Sequence, residues 1–486
     1  MNRRQFLELT AAGIVPAMMR GAAQPPNIVF ILTDDLGYGD ISCQNPDSKI
    51  QTPNIDRLAK LGMRFTDAHS PSAVCTPTRY GVLTGRYAWR SRLKKGVLEG
   101  YSPALIEPGR HTVPSLLKSR GYYTGGIGKW HLGLGKDEKT NYSGTIHPAP
   151  TDNGFDYYFG IPASLDMPPY VYLENDRLAE PGTSTTPGKN ESGVFWRAGD
   201  KAPSFEFDQV LATLTKKSID FIQQRAKKPT QPFFLYLPLT GPHTPWVPRK
   251  EFEGRSKAGI YGDFVCEVDW IVGQILDTLD KTKLSANTLL VLTSDNGPER
   301  YAYERIPEFH HYSMGALRGV KRDAWEGGHR VPFIARWPGK VPANSISNET
   351  ICLVDLMATA AAMSGIKLPS NAGEDSYNIL PALRGMKRSR PIREATVLHT
   401  ANGEFAIRQG NWIFIDNKTG MNSLEPEWFR KERGYALHNF PGELYDLKQD
   451  PAESKNLYGE RPDVVKKLKD LLEKYKADGR SAPKRA

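Results

Sequence analysis

One cysteine stands in the run Cys75-Thr76-Pro77-Thr78-Arg79-Tyr80-Gly81-Val82-Leu83-Thr84-Gly85-Arg86. Pro77 near a helix start sets Cys75 at the positive end of the helix dipole, where a developing anion is stabilised, and Arg79 follows one turn later. A lone cysteine is more often a small core residue, so this spacing by itself leaves both readings open. Asp34-Asp35 and Asp295-Asn296 offer three carboxylates and an amide oxygen. That all-oxygen set suits a hard cation such as calcium or magnesium and not zinc, although either pair alone also fits a turn or helix cap. Gly125-Gly126-Ile127-Gly128-Lys129-Trp130-His131-Leu132-Gly133 has the glycine content of a phosphate loop. Trp130 stands where Ser or Thr should follow the lysine, and the upstream glycine spacing is wrong. The run does set Lys129 close to His131, and a neighbouring ammonium is a physical reason for a histidine to stay neutral and basic. His243, within Gly241-Pro242-His243-Thr244-Pro245, and Lys321, after Arg318-Gly319-Val320, are in isolation as compatible with solvated surface as with chemistry.

These residues need strand ends to hold them. Asn27 to Thr33 is apolar on both faces and β-branched, as a buried central strand is, and it stops at Asp34-Asp35. Thr52-Pro53 then opens a helix, with Thr52 as N-cap, Ile55, Leu58 and Ala59 as its apolar face and Gly62 as its end. The alternation continues with a helix at Val113 to Arg120, a strand at Tyr122 to Ile127, a helix at Phe207 to Gln224 and a strand at Pro232 to Leu239. A helix through Val265, Val268, Ile271, Val272, Ile275 and Leu279 and a strand Thr288 to Thr293 complete it. Repeated strand–helix order predicts an α/β fold, a largely parallel sheet covered on both faces with ligands beyond the strand C-termini. Ser164 to Pro203 and Arg300 to Arg318 lack the rhythm and read as long loops, favoured as substrate walls over disordered insertions. After about Arg390 short alternating strands and a final helix near Pro462 to Lys476 predict a small α+β appendage, giving domains at 25–390 and 391–486.

The chain has 486 residues, 39% hydrophobic and 24% charged, which excludes a polytopic membrane protein and low-complexity disorder. A net charge of +10 is compatible with an anionic substrate and does not imply nucleic-acid binding. Cys43, Cys75, Cys266 and Cys352 form no CxxC pair, so neither a zinc site nor a disulfide scaffold is indicated. Residues 1–24 carry Arg3-Arg4, Phe6-Leu7, a short apolar stretch and Gly21-Ala22-Ala23, the pattern of a twin-arginine-like export leader, with a frayed helix as the plain alternative. Export to the periplasm or medium of a bacterium is therefore expected. No other segment approaches the ~20 apolar residues of a membrane span.

The Cys75 run, with Cys-x-Pro-x-Arg followed by Leu-Thr-Gly-Arg, resembles the signature of the sulfatase family. Gly128-Lys129-Trp130-His131-Leu132-Gly133, Arg318-Gly319-Val320-Lys321, Glu326-Gly327-Gly328-His329-Arg330-Val331-Pro332 and Trp337-Pro338-Gly339 are similar to further blocks of that family, in its order. Asp152-Asn153-Gly154-Phe155-Asp156-Tyr157-Tyr158-Phe159-Gly160 is similar to the arylsulfatase A and N-acetylgalactosamine-6-sulfatase relatives. Thr78, where the family commonly has Ser or Ala, is a small departure. The resemblance implies an alkaline-phosphatase-like sandwich with a large mixed, mostly parallel sheet and a smaller C-terminal α+β domain. It implies that Cys75 is converted by a formylglycine-generating maturation enzyme to formylglycine, whose hydrate has one hydroxyl to attack sulfur and another to expel the product. Asp34, Asp35, Asp295, Asn296 and the modified Cys75 would hold calcium. Lys129, His243 and Lys321 would face the sulfate ester, with His131 removing the formylglycine proton, His243 as general acid and Arg79 in the catalytic set. The implied activity is hydrolysis of a sulfated carbohydrate. His310 and His311 are expected to bind substrate, and Trp246, Trp325 and Tyr312 to wall it in. A phosphoester or phosphonate hydrolase of the same superfamily and a silent carbohydrate-binding homologue are the alternatives. The first generally has Ser or Thr at the nucleophile or binds two zinc ions, and the second should have lost at least one of these residues, none of which is missing.

Overall fold

The computed structural model describes residues 24–484, so the expected N-terminal leader lies outside the described residues except for Gln24. Asn27–Thr33 is apolar on both faces because it is a middle strand with a core on each side. Ile28, Phe30 and Leu32 enter one core with Phe234 and Tyr236, while Val29 and Ile31 enter the other with Leu235 and Leu237. Each such side chain, fully buried, contributes about 1.5–3 kcal/mol. Thr288–Ser294, Asn27–Thr33, Phe233–Pro238, Tyr123–Lys129 and Tyr157–Ile161 lie side by side and parallel. Antiparallel strands extend both flanks, Phe333–Arg336 and Met63–Phe65 on one side and Leu173–Glu174 and Arg177–Leu178 on the other. With Ser345–Ser347 at the far edge the sheet is mixed and ten-stranded among the described residues. Helices Pro53–Lys60, Val210–Ala226 and Gly259–Lys281 cover the Val29 face, and Cys75–Thr84, Val113–Lys118 and Leu356–Ser364 the Phe30 face.

The glycine-rich run before Lys129 is strand, and its glycines serve packing. A Cβ at Gly128, whose φ is +141°, would lie 1.8 Å from the Pro238 carbonyl oxygen of the neighbouring strand. One at Gly125 would lie 2.4 Å from the Phe221 ring. The strands can therefore pass close enough to bring Lys129 to the site.

Three sequence expectations change. The helix begins at Pro53, but Thr52 does not cap it: its hydroxyl pairs with Ser42 Oγ at 2.7 Å. Asp269, from Gly259–Lys281, accepts the Asn54 and Ile55 N–H groups at 3.0 and 2.8 Å instead, a carboxylate placed on the positive helix end. Arg300 to Arg318 is not all loop, since Ala302–Phe309 is helical despite Pro307, which reads in sequence as a breaker. Ser164 to Pro203 is not loop throughout either. It supplies the edge strands above and two ribbons, Ser184–Thr186 with Gly199–Lys201 and Lys189–Glu191 with Val194–Trp196.

A second, antiparallel sheet runs Thr396–His399, Phe405–Gln409, Trp412–Ile415, Glu443–Asp446. One face packs under helix Pro462–Ala477 through Val397, Ile407, Phe414 and Leu444 against Val465 and Leu468. The other face, with Leu398, Ala406, Ile413 and Tyr445, packs on Ala324 and Trp325, which precede strand Phe333–Arg336.

Candidate active site

Parallel strands that end at one edge bring their following residues together. Asp34 and Asp35 follow Asn27–Thr33, Asp295 and Asn296 follow Thr288–Ser294, Lys129 ends its own strand, and His243 lies just beyond Phe233–Pro238. Cys75 arrives from the other direction as the first residue of helix Cys75–Thr84, with its side chain at the N-terminal end. Single ligand atoms of Asp34, Asp35, Cys75 and His243 all lie within 4.8 Å of one another.

Cations meet each carboxylate of this buried cluster, and Arg79 also reaches Asp34 Oδ2 at 3.4 Å and Lys321 reaches Glu299 Oε2 at 3.6 Å. Lys129 Nζ donates to Asp34 Oδ2 at 2.6 Å, Lys321 Nζ to Asp35 Oδ2 at 2.9 Å, and Arg79 Nη2 to Asp295 Oδ2 at 2.7 Å. Burial pushes Asp34 upward, but Lys129, His243, Arg79 and Lys321 outweigh it and hold the carboxyl well below its ordinary range. Asp295 moves the other way, to about 6, because burial and the Asp34 charge outweigh Arg79 and Lys129. Burial also pushes the Cys75 thiol up to about 11, against the pull of Lys129 and Lys321. An unmodified thiol here is protonated at neutral pH and a poor nucleophile.

A cation fits this donor set. Asp34 Oδ1 and Asn296 Oδ1 are buried without a hydrogen-bond partner among the described residues, and buried oxygens are rarely left so. With Asp35 and Asp295 they form a hard, all-oxygen environment suited to calcium or magnesium.

Both histidines have their tautomers set by backbone carbonyls. His131 Nε2 donates to the Leu98 carbonyl at 2.7 Å, so Nδ1 carries the lone pair, and that atom is buried with no partner. Burial, then Lys129 and Arg79, push His131 well below its usual pKa, keeping it neutral and able to accept a proton. His243 Nδ1 donates to the Thr244 carbonyl, leaving Nε2 3.7 Å from Asp35 Oδ2. Asp35 and His131 are held at φ +65° and +56°, a left-handed conformation that costs a non-glycine residue of order 1 kcal/mol and clusters at functional positions.

The cluster opens into a cavity of about 540 Å³ lined by Cys75, His131, His243 and Lys321. Its walls add residues that the sequence did not single out. Asp166 and Arg197 come from the Ser164 to Pro203 stretch, joined by an Arg197 Nη1–Asp166 Oδ2 pair at 2.7 Å, and the other Asp166 oxygen has no partner. Glu299 lies four residues after Asp295 and pairs with Arg322 at 2.6 Å. Asn422, Ser423 and Leu424 come from the C-terminal region. Asp166 and Arg197 belong to a stretch expected as a substrate wall, and from the other such stretch Arg300 and Tyr301 also line the cavity.

The expected binding residues His310 and His311 do not line the cavity. His311 is fully buried, with Nε2 on Asp40 Oδ1 at 2.8 Å and Nδ1 accepting from the Lys49 N–H at 3.3 Å. His310 is exposed as the left-handed cap of helix Ala302–Phe309. Trp325 is buried and donates to Glu443, Trp246 packs on Tyr261 and Tyr301, and Tyr312 bonds Glu432 outside the cavity. Within Arg300 to Arg318 it is Arg300 and Tyr301 that line the cavity, while His310, His311 and Tyr312 do not.

The mixed sheet with helices on both faces, and the smaller antiparallel domain against it, make this an alkaline-phosphatase-like fold. The sulfatase family model matches residues 26–366, and the chain belongs to the sulfatase family, enzymes that hydrolyse sulfuric esters. It is 36% identical to an N-acetylgalactosamine-6-O-sulfatase of Bacteroides thetaiotaomicron, over 93% of this chain and 94% of that one. It is 33% identical to human arylsulfatase A, over 96% and 90% of the two chains. A solved Bacteroides thetaiotaomicron structure, from work on metabolism of multiple glycosaminoglycans, superposes with a TM-score of 0.82 at 36% identity, covering 94% of this chain and 100% of that chain.

Proposed function

We propose that the chain removes sulfate from a sulfated carbohydrate, with Cys75 converted to formylglycine and calcium held by Asp34, Asp35, Asp295, Asn296 and the Cys75-derived oxygen. The observation that carries this reading is the meeting of Cys75 with Asp34, Asp35 and His243 within 4.8 Å at the floor of an open cavity. A thiol held protonated by burial is a weak nucleophile, whereas the hydrate of an aldehyde places two hydroxyls on that carbon. Calcium, when bound, would offset the carboxylate charge and make a coordinated hydroxyl more acidic.

The chain's own groups supply the rest. Lys129 and Lys321 each use one ammonium proton on a carboxylate and keep two for the non-bridging oxygens of a sulfate. Arg79 fixes Asp295 from two nitrogens, at 3.1 and 2.7 Å, and so keeps the carboxylate floor in register. His131 Nδ1 is the free base in the cavity that Cys75 also lines, and His243, in its imidazolium form with Nδ1–H held on the Thr244 carbonyl, gives its Nε2 proton to the leaving alcohol oxygen.

The similarity to an N-acetylgalactosamine-6-O-sulfatase makes a 6-O-sulfated N-acetylgalactosamine the first substrate to assay. The reading also includes the leader-directed export, the maturation enzyme, and the division into a catalytic unit over 25–390 and a small domain over 391–486. Mass spectrometry of the Cys75 peptide from the native host, with an aryl sulfate assay before and after chelation, tests it. Conversion of thiol to aldehyde with chelator-sensitive sulfate release is expected; an unmodified thiol in active protein would sink it.

A further inference from the structure

The turn that carries Lys321 is tied to three parts of the molecule at once. The Lys321 N–H donates to the Pro298 carbonyl at 2.8 Å, just beyond the Asp295-Asn296 pair. The Arg322 N–H donates at 2.8 Å to the carbonyl of Ala73, two residues before Cys75, from a left-handed φ of +83°. The next residue, Asp323, is fully buried. Its Oδ2 accepts the Val320 N–H at 2.9 Å, and its Oδ1 accepts the N–H groups of Asn422 and Ser423 at 2.7 and 2.6 Å. Ser423 Oγ returns a bond to the Lys321 carbonyl at 2.7 Å, and the Ala324 N–H meets the Gly420 carbonyl at 2.8 Å. The strap 420–424 thus lies along the Lys321 turn, and its residues Asn422, Ser423 and Leu424 line the same cavity as Cys75. Leu424 presents an exposed apolar side chain there.

We propose that Asp323 is a positioning residue: its carboxylate sets the wall of the substrate cavity, built by the C-terminal domain, against the sulfate-facing Lys321. Three N–H groups from two domains converge on one short, fully buried side chain, and hydrogen bonds of this geometry are directional. Removing one acceptor oxygen leaves amides unpaired on one side or the other, so the floor and the wall cannot both keep their places. The wall meets the part of the substrate that the sulfate is attached to, and strap position is therefore read as sugar selectivity. This rests on the sulfatase reading and deepens it.

The full-length protein is assayed with 4-nitrophenyl sulfate, whose leaving group is small and flat, and with 6-O-sulfated N-acetylgalactosamine. Asp323→Asn is expected to lower kcat on the aryl sulfate by at least about tenfold through Lys321, and to raise KM for the sugar sulfate by about fivefold or more. Ser423→Ala, which removes only the bond from strap to Lys321 carbonyl, is expected to raise the sugar KM about threefold and to affect the aryl sulfate by a clearly smaller factor. Glu443→Gln is the structural comparator. Glu443 accepts from Gly420 and from Trp325 at the far end of the same strap, so its loss is expected to lower Tm without this kinetic split. Amide hydrogen exchange gives a readout independent of turnover: Val320, Asn422 and Ser423 should lose protection together in Asp323→Ala, which removes both acceptor oxygens. The proposal is overturned if Asp323→Asn keeps wild-type kinetics on both substrates, if Asp323→Asn and Glu443→Gln behave alike, or if Ser423→Ala moves both substrates equally. A wild-type chain silent on both sulfates, with the three amides still lost together, would count against the sulfatase reading and for the coupling.

Discussion

Two buried clusters bring metal-ligand side chains within 4.8 Å: Asp34, Asp35, Cys75 and His243 in one, His69, Glu326 and His329 in the other. By residue type the second is the better transition-metal candidate. Yet its nitrogens already have partners. His69 Nε2 meets Asp67 Oδ1 at 2.9 Å, His329 Nε2 meets the Ala324 carbonyl at 3.0 Å, and the two Nδ1 atoms face each other at 3.1 Å. Arg330 and Arg408 contact both Asp67 and Glu326, supplying the positive charge a metal would bring, and only Glu326 Oε1 among the cluster's acceptors is left without a bond. The first cluster also has one unpartnered acceptor, Asp34 Oδ1, but a second, Asn296 Oδ1, lies at the neighbouring strand end, and the cluster opens into a cavity. Proximity of ligand types is therefore not what separates a site from a structural knot; unsatisfied acceptors with access are.

The sharpest break between the two is chemical. Cys75→Ala should lower kcat on an aryl sulfate by at least about a thousandfold, while His329→Ala, if folded, should keep most of it. Next comes metal content. Dialysed protein measured by elemental analysis should retain about one divalent ion per chain, lost in Asp35→Asn and kept in His329→Ala. Two ions in the wild type would erase the distinction. Chelation should abolish turnover and added calcium restore it.

Much of the first cluster could be read in the sequence because parallel strands deliver their C-terminal ends to one edge, and Asp34-Asp35 and Asp295-Asn296 each follow a two-faced apolar run, while Lys129 ends a glycine-rich strand. The strap 420–424 could not, since nothing in Gly420-Met421-Asn422-Ser423-Leu424 marks chemistry and its place depends on Asp323, far away in the chain. Asp269 capping the helix at Pro53 is illegible for the same reason: a local candidate, Thr52, was present, and a tertiary partner took its role. His310 and His311 resemble binding residues by type, but His311 is fully buried against Asp40 and His310 is exposed away from the cavity.

The second cluster should show itself in stability. Arg408→Met leaves Asp67 and Glu326 with less countercharge in the interior and should cost about 3–5 kcal/mol in urea unfolding, without changing metal content. The smallest effect is on pH dependence. Burial, with His69 opposing Glu326, pushes His329 down to about 3 from its ordinary 6.5. Between those values the unfolded chain binds the extra proton, so this contribution is complete above pH 6.5 and lost as pH falls toward 3. Its slope is at most about 1.4 kcal/mol per pH unit, and His329→Gln should flatten that limb of the stability curve.

The left-handed backbone at Asp35 and His131 gives heat tolerance and turnover opposing claims on the same two positions. Glycine relaxes such a conformation and has none of the chemistry. Directed evolution for thermal survival alone, with no demand for turnover, would be drawn toward replacements there, and robust but inert descendants are the form that drift would take.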